Sequence, residues 1–194
     1  RVSSDLGNIL YFDSERINLG LLQKEANVIY DLAVHDFSVL LYVLDNPDVH
    51  NVYVAASKQV HRHVEDMAHI VLEFKNGIIA HIHVSWISPV KIRKVIIGGS
   101  QKMLWWDDVH PFEKLKVYNS RVEVQQRDDN PFFPTYIADD VRIIKVENKE
   151  PLSCEIDSIV KSIVDDRPPE VSGQDGLRVA QLLERCENQL GRRR

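Results

Sequence analysis

Residues 27–44, NVIYDLAVHDFSVLLYVL, constrain the fold of this chain more than any other stretch. Val28, Ile29, Leu32, Ala33, Phe37, Leu40, Leu41 and Leu44 recur at the i, i+3, i+4 spacing of an amphipathic helix with one buried face. Polar chemistry interrupts that helix early, because Asp31 and His35 lie four residues apart and on a helix share a face, with Cβ atoms about 5–6 Å apart. Two readings fit the spacing. In one, Asp31 caps the helix, where free N–H groups favour a carboxylate, and His35 packs at the helix edge. In the other, a carboxylate beside an imidazole that titrates near neutrality forms an acid/base pair.

Around this helix the sequence alternates with period two. Strands are predicted over 8–16, 49–60, 66–74, 78–87, 91–99, 102–108, 113–119 and 141–147, with Asn76-Gly77 as a hairpin turn. Arg16, Asn18 and Gly20 fall between the first strand and the helix, where a guanidinium and an amide suit substrate oxygens or local backbone. In 78–87 the alternation puts His81, His83 and Ser85 on one face and Ile82, Val84 and Trp86 on the other. The segment between the last two strands, rich in Asp and Pro around Asp128 to Pro134, reads as a long loop. Two amphipathic helices follow at about 150–165 and 173–190. This order predicts an α+β fold, a largely antiparallel sheet with helices on one face. Residues 1–191 read as a single domain, followed by a basic tail at 192–194.

Composition narrows the function. The 24 Lys and Arg against 29 Asp and Glu, a net charge of −5, argue against a nucleic-acid-binding surface. No apolar run approaches the roughly 18 residues of a membrane span and no secretory leader is present, so no membrane contact and a cytoplasmic location are expected. Cys154 and Cys186, without metal-ligand spacing, are expected to be free buried thiols. The chain begins at Arg1, as a fragment of a longer polypeptide would.

His61 with His63, and His81 with His83, are spaced i, i+2, so each pair shares a strand face and four imidazoles would converge if the two strands paired in register. No carboxylate triad or Cys pair accompanies them. A metal is therefore not expected, and a polar sheet surface explains the spacing.

Three segments together resemble the substrate-binding domain of the Gfo/Idh/MocA oxidoreductases, NAD(P)-dependent sugar and polyol dehydrogenases: SERINLGLLQKEANVIYDLAVHDFSVLLYVL at 14–44, VSWISPVKIRKVIIGGSQKMLWWDD at 84–108, and EPLSCEIDSIVKSIVDDRPPEVSGQDGLRVAQLLERC at 150–186. The likeness is greatest to the branch acting on sugar nucleotides and related amino sugars. It implies that Asp31 and His35 face the reacting sugar carbon, with His35 as acid/base or alcohol-polarising residue. Arg16 and Asn18, and by conjecture Lys91 and Arg93 near a strand end, become substrate contacts. The resemblance also implies a homo-oligomer formed through the open sheet face. NAD or NADP would be held mainly by an N-terminal domain that this chain lacks, along with the family's Glu-Lys-Pro segment and its active-site lysine. Consistent with that, no Gly-x-Gly-x-x-Gly unit between a strand and a helix is present, and Gly98-Gly99-Ser100 connects two predicted strands. The chain alone is expected to be inert. The alternative from another class is a non-catalytic sugar-binding or assembly module of the same fold.

Overall fold

The computed structural model describes residues 3–60, 63–127, 130–147 and 149–191. The alternating segments form one open, eight-stranded sheet, and the 27–44 stripe packs across it, giving the α+β fold expected. In chain order a short α1 (Ser3–Leu6) precedes β1 (Ile9–Leu19), and a π-helical turn (Ile29–Ala33) runs directly into α2 (Val34–Val43). Then come β2 (Val49–Ser57), β3 (Met67–Phe74), β4 (Ile79–Ser85), β5 (Ile87–Gly99), β6 (Met103–Asp107), β7 (Leu115–Arg127), β8 (Asn130–Ile144), α3 (Pro151–Val164) and α4 (Gly173–Gly191). Strand order is β2-β3-β4-β1-β5-β6-β7-β8. All neighbours are antiparallel except β1 with β4. The parallel pair arises because β1 inserts between β4 and β5, and this makes β1 a central strand.

The even-numbered positions of β1 and β4 explain the core. Phe12, Ala80, Ile82, Val84 and, past the strand end, Trp86 are buried against Val28, Ile29, Ala33, Phe37 and Leu40 of the helix. Helix α4 adds Leu182, Leu183, Cys186 and Leu190. Burial pushes the Cys186 thiol up to about 12, so it is an apolar packing group rather than a nucleophile. At the predicted hairpin, Gly77 has φ 86°, a left-handed conformation that glycine adopts without strain, and the Ile78 N–H donates to Asn76 Oδ1 at 3.2 Å.

Three expectations are corrected. Of the loop predicted between 119 and 141, residues 128 and 129 lie outside the described residues, as does the 192–194 tail, but 120–127 extend β7 and 130–140 belong to β8, the two pairing from Arg127↔Asn130 back to Leu115↔Ile144. The Asp and Pro cluster misleads because β8 is an edge strand, where a proline such as Pro134 loses no inner ladder bond. The predicted 150–165 helix exists, but its stripe does not pack on the sheet: Leu152, Ile156, Ile159, Val160 and Ile163 are 49–74% exposed. Periodicity establishes that a face is apolar, not what it meets. For the same reason Cys154 is an exposed thiol, contrary to expectation.

On the opposite, open face of the sheet, His83 and His81 point together as the alternation predicts, but their neighbour is His69 on β3. His69 stacks on His83 with ring centroids 4.1 Å apart, and its Nδ1 lies 3.3 Å from His81 Nε2. Asp13 Oδ1 is 2.9 Å from His81 Nδ1. His61 lies outside the described residues, and among those described no group of three or more His, Cys, Asp or Glu is placed to hold a metal. Burial and the two adjacent imidazoles hold His69 below the usual histidine range, against a smaller opposing pull from Glu15. A histidine depressed in the folded state binds its proton more readily when unfolded, so its contribution to stability is lost as pH falls through about 6.5 and on through the depressed value. Thermal melts are expected to show a lower Tm at pH 5.5 than at pH 7.5, and His69→Gln to shrink that difference; an unchanged difference would remove His69 as its source.

Candidate active site

The site forms where the helix crosses the end of β1. Contrary to the sequence reading, Arg16 and Asn18 lie within β1 rather than in a connection, because the strand runs to Leu19. Arg16 shares the helix-facing side with Phe12, and its Nε donates to Asp36 Oδ2 at 2.7 Å. Asp36 is 1% exposed. Burial pushes its carboxyl up while the Arg16 guanidinium pulls it down, and burial prevails. Across the sheet Arg16 is paired in register with Arg93 of β5, placing two guanidinium-bearing residues side by side on this face. Like charges directly opposite in a sheet are destabilising, so the pair needs carboxylates, and Arg93 Nη1 lies 3.6 Å from Asp108 Oδ2.

Asp31 and His35 occur on the one helical segment as the sequence predicts, but its first part is a π turn. The end of the helix is not capped by Asp31. Asn27 Oδ1 accepts the N–H groups of Ile29 and Tyr30, both at 3.1 Å. Asp31 is thereby free for another contact, and its Oδ2 accepts the indole N–H of Trp86 at 2.8 Å.

His35 is exposed at the surface of α2. Partial burial, then Arg16, and to a lesser degree Arg93, hold its imidazole below the usual histidine range, while Asp36 and Asp31 act in the opposite sense. At neutral pH the ring is therefore a neutral imidazole, with one nitrogen able to accept a proton.

The structure thus brings together Asp31, His35, Arg16 and Arg93 of the predicted residues. Asn18 adjoins through Gly20, since a Cβ built on Gly20 would lie 3.0 Å from Asn18 Nδ2 and 3.2 Å from Trp86 Cδ1. Lys91 stands apart: it is exposed on β5 and does not contribute to the His35 environment. A recess of about 820 Å³ between α2 and α4, lined by Val39, Tyr42 and Val171 among others, contains none of these residues. Sequence reasoning missed Asn27, Asp36 and Trp86. The signal for Asp36 was its place beside His35, and the signal for Trp86 was an indole N–H that needs an acceptor when buried.

The family model of the GFO/IDH/MocA C-terminal domain matches residues 6–104. The chain belongs to this family. No curated protein sequence matches it. Among solved structures, the chain is similar to UDP-N-acetylglucosamine 3-dehydrogenase GnnA from Acidithiobacillus ferrooxidans, with 20% identity and a TM-score of 0.75 over 97% of this chain and 56% of that one. It is also similar to GenD2 from gentamicin A biosynthesis, solved in complex with NAD, with 17% identity and a TM-score of 0.73 over 98% of this chain and 56% of that one. A third is aldose-aldose oxidoreductase from Caulobacter crescentus, with 15% identity and a TM-score of 0.72 over 100% of this chain and 56% of that one. The chain therefore spans a little over half the length of these proteins. Among its described residues no helix is long and apolar enough to cross a membrane. Gly98 and Gly99 lie at the end of β5, and the Gly99 N–H donates to Lys102 O at 3.0 Å across the hairpin to β6. No helix N-terminus follows them, so they do not form a pyrophosphate cradle.

Proposed function

We propose that this chain is the substrate-binding part of an NAD(P)-dependent dehydrogenase that oxidises or reduces a carbinol of a sugar, sugar nucleotide or polyol. The observation that supports this reading most is a neutral, solvent-reachable His35 on the same helix as Asp31, with Arg16 and Arg93 close enough to depress it. A nicotinamide, NAD or NADP, held by a domain outside these residues supplies the hydride acceptor. His35 takes the hydroxyl proton as the carbon loses its hydride, or returns it in the reverse direction. Asp31 accepts a hydrogen bond from a substrate hydroxyl or from the imidazolium. Arg93, Arg16 and Asn18 line the approach, and Lys91 stands further along β5. Holding the carbinol against His35 is the larger part of the chain's contribution, because orientation removes an entropic barrier before the proton moves.

The same reading gives the open sheet face to a second copy of the chain. Its cross-strand row Tyr53, Val71, His81, Asp13, Ile96, Trp105 sets the polar His81 and Asp13 at its centre between apolar and aromatic groups on both sides, a mix that suits an interface between copies.

The test is made on the full-length polypeptide. Nicotinamide reduction is followed at neutral pH with NAD and NADP, against a panel of sugar nucleotides, free sugars and polyols. Substrate-dependent reduction is expected with at least one member. Saturable sugar binding with no redox turnover under any pairing would instead identify a non-catalytic module of the same fold. Sedimentation equilibrium checks the second copy, and a monomer at all concentrations would remove it.

A further inference from the structure

The Arg-x-Asn-Leu-Gly segment of β1 and the Asp-x-x-x-His segment of the helix are joined in space by one side chain that belongs to neither. Trp86 follows β4 and is 1% exposed. Its backbone is held on both sides: its N–H donates to Asp66 O at 3.0 Å, and its carbonyl accepts the Gly20 N–H at 2.9 Å. Asp66 is itself fully buried, with its carboxylate accepting the N–H of Gln59 at 3.1 Å and of Val60 at 2.6 Å. The indole therefore has little freedom. Its ring lies beside Gly20, where a Cβ would come within 3.2 Å of Cδ1, so the absent side chain leaves the space the ring occupies.

An indole N–H can only donate, and a buried one left without an acceptor is unfavourable. A backbone carbonyl would satisfy it. Here the acceptor is Oδ2 of Asp31, a half-buried carboxylate one helical turn before His35. Oδ1 has no protein donor among the described residues. Asp31 stands in the π turn, a form that occurs mostly as single turns within α-helices and frequently at functional sites. Nothing else among the described residues fixes the rotation of its side chain.

We propose that Trp86 is a positioning residue of this site, holding one oxygen of Asp31 through its indole N–H so that the other is presented to the substrate, with Gly20 providing the clearance for the ring. The inference rests on the proposed function, since it assigns Asp31 its aim in that reaction. It also accounts for the glycine two residues after Asn18, which has no chemistry of its own.

The test compares Trp86→Phe, Asp31→Ala and the double variant in the full-length protein, with His35→Asn as reference. Phenylalanine keeps a buried ring and deletes the N–H. Trp86→Phe is expected to lower kcat about 10- to 100-fold, with KM for the nicotinamide unchanged, because a small misplacement of a reacting group is enough for a loss of that order. In the Asp31→Ala background the same replacement should lower kcat by less than about 3-fold, since groups acting through one another are not additive. A purely structural tryptophan would give equal losses in both backgrounds, and that outcome overturns the proposal, as does unchanged kcat in Trp86→Phe. If Trp86→Phe does not fold, Gly20→Ala makes the comparison in an Asn18→Ala background, because its Cβ would meet Asn18 Nδ2 at 3.0 Å as well as the indole at 3.2 Å; the loss it causes there should likewise vanish when Asp31→Ala is added. Equal losses in both backgrounds would overturn the proposal there too. Should the wild type turn over no substrate with either nicotinamide, the dehydrogenase reading itself fails; full turnover in both His35→Asn and Asp31→Ala would instead remove Asp31 from the reaction and overturn the role of Trp86.

Discussion

Replacing His35 by asparagine in the full-length protein is expected to lower turnover by about 10²- to 10⁴-fold, the range that positioned acid/base groups contribute, and to leave the fold intact. The fold should survive because His35 is exposed and makes no hydrogen bond or ion pair within the described residues. Asparagine and histidine have similar helix propensities, so the stability change should stay within about 0.5 kcal/mol. Asparagine can still donate a hydrogen bond to a sugar oxygen but cannot take its proton. The loss should therefore fall on kcat more than on KM.

The pH profile supplies a second readout. In the proposed oxidation His35 would act in its neutral form, and burial with Arg16 and Arg93 depresses its proton affinity. In wild-type protein kcat/KM for oxidation should rise with pH through a value below the usual histidine range of about 6.5 and then level off. In His35→Asn that limb should disappear. Wild-type turnover with an unaltered limb would remove His35 from the mechanism and transfer the limb to another group.

Much of this arrangement was legible in the sequence because it depends on local periodicity. The helix at 27–44, the alternation that buries Trp86 with Ile82 and Val84, and the Asn76-Gly77 turn each follow from spacings within a dozen residues. Two features were not legible because they depend on pairing at long range. The insertion of β1 between β4 and β5 sets Arg16 opposite Arg93, 77 positions away in sequence, and no local pattern specifies that neighbour. Likewise, Asp13 and Glu15 read as ordinary strand residues, and only the β1/β4 register places them beside His81 and His83. The π turn was invisible for a different reason. Its apolar spacing satisfies a 3.6-residue period well enough, and the departure lies in backbone hydrogen bonds rather than in residue types. The edge-strand prolines of β8 show the reverse failure, in which a correct local signal for a break is overruled by a position that tolerates it.

The largest effect on stability is expected at Arg16. Arg16→Met keeps the aliphatic stem along the sheet and removes the guanidinium, leaving Asp36 at 1% exposure without its 2.7 Å partner. Breaking a buried pair from one side typically destabilises by about 3–5 kcal/mol, because the remaining charge is left desolvated. The pH dependence distinguishes this origin from lost packing. Burial already raises the Asp36 carboxyl against the pull of Arg16, and without that pull it rises further. A carboxyl raised in the folded state takes up its proton at a pH where the unfolded chain has not, so the deficit should be full at pH 8 and shrink as pH falls through the raised value. Urea melts at pH 8 and pH 5 should therefore show a smaller difference between Arg16→Met and wild type at the lower pH. Adding Asp36→Asn to Arg16→Met should recover part of the loss at pH 8, since the buried group is then neutral. A deficit independent of pH and untouched by Asp36→Asn would mean that Arg16 stabilises the sheet end through its stem alone. The pair would then be separate from the electrostatics that depress His35.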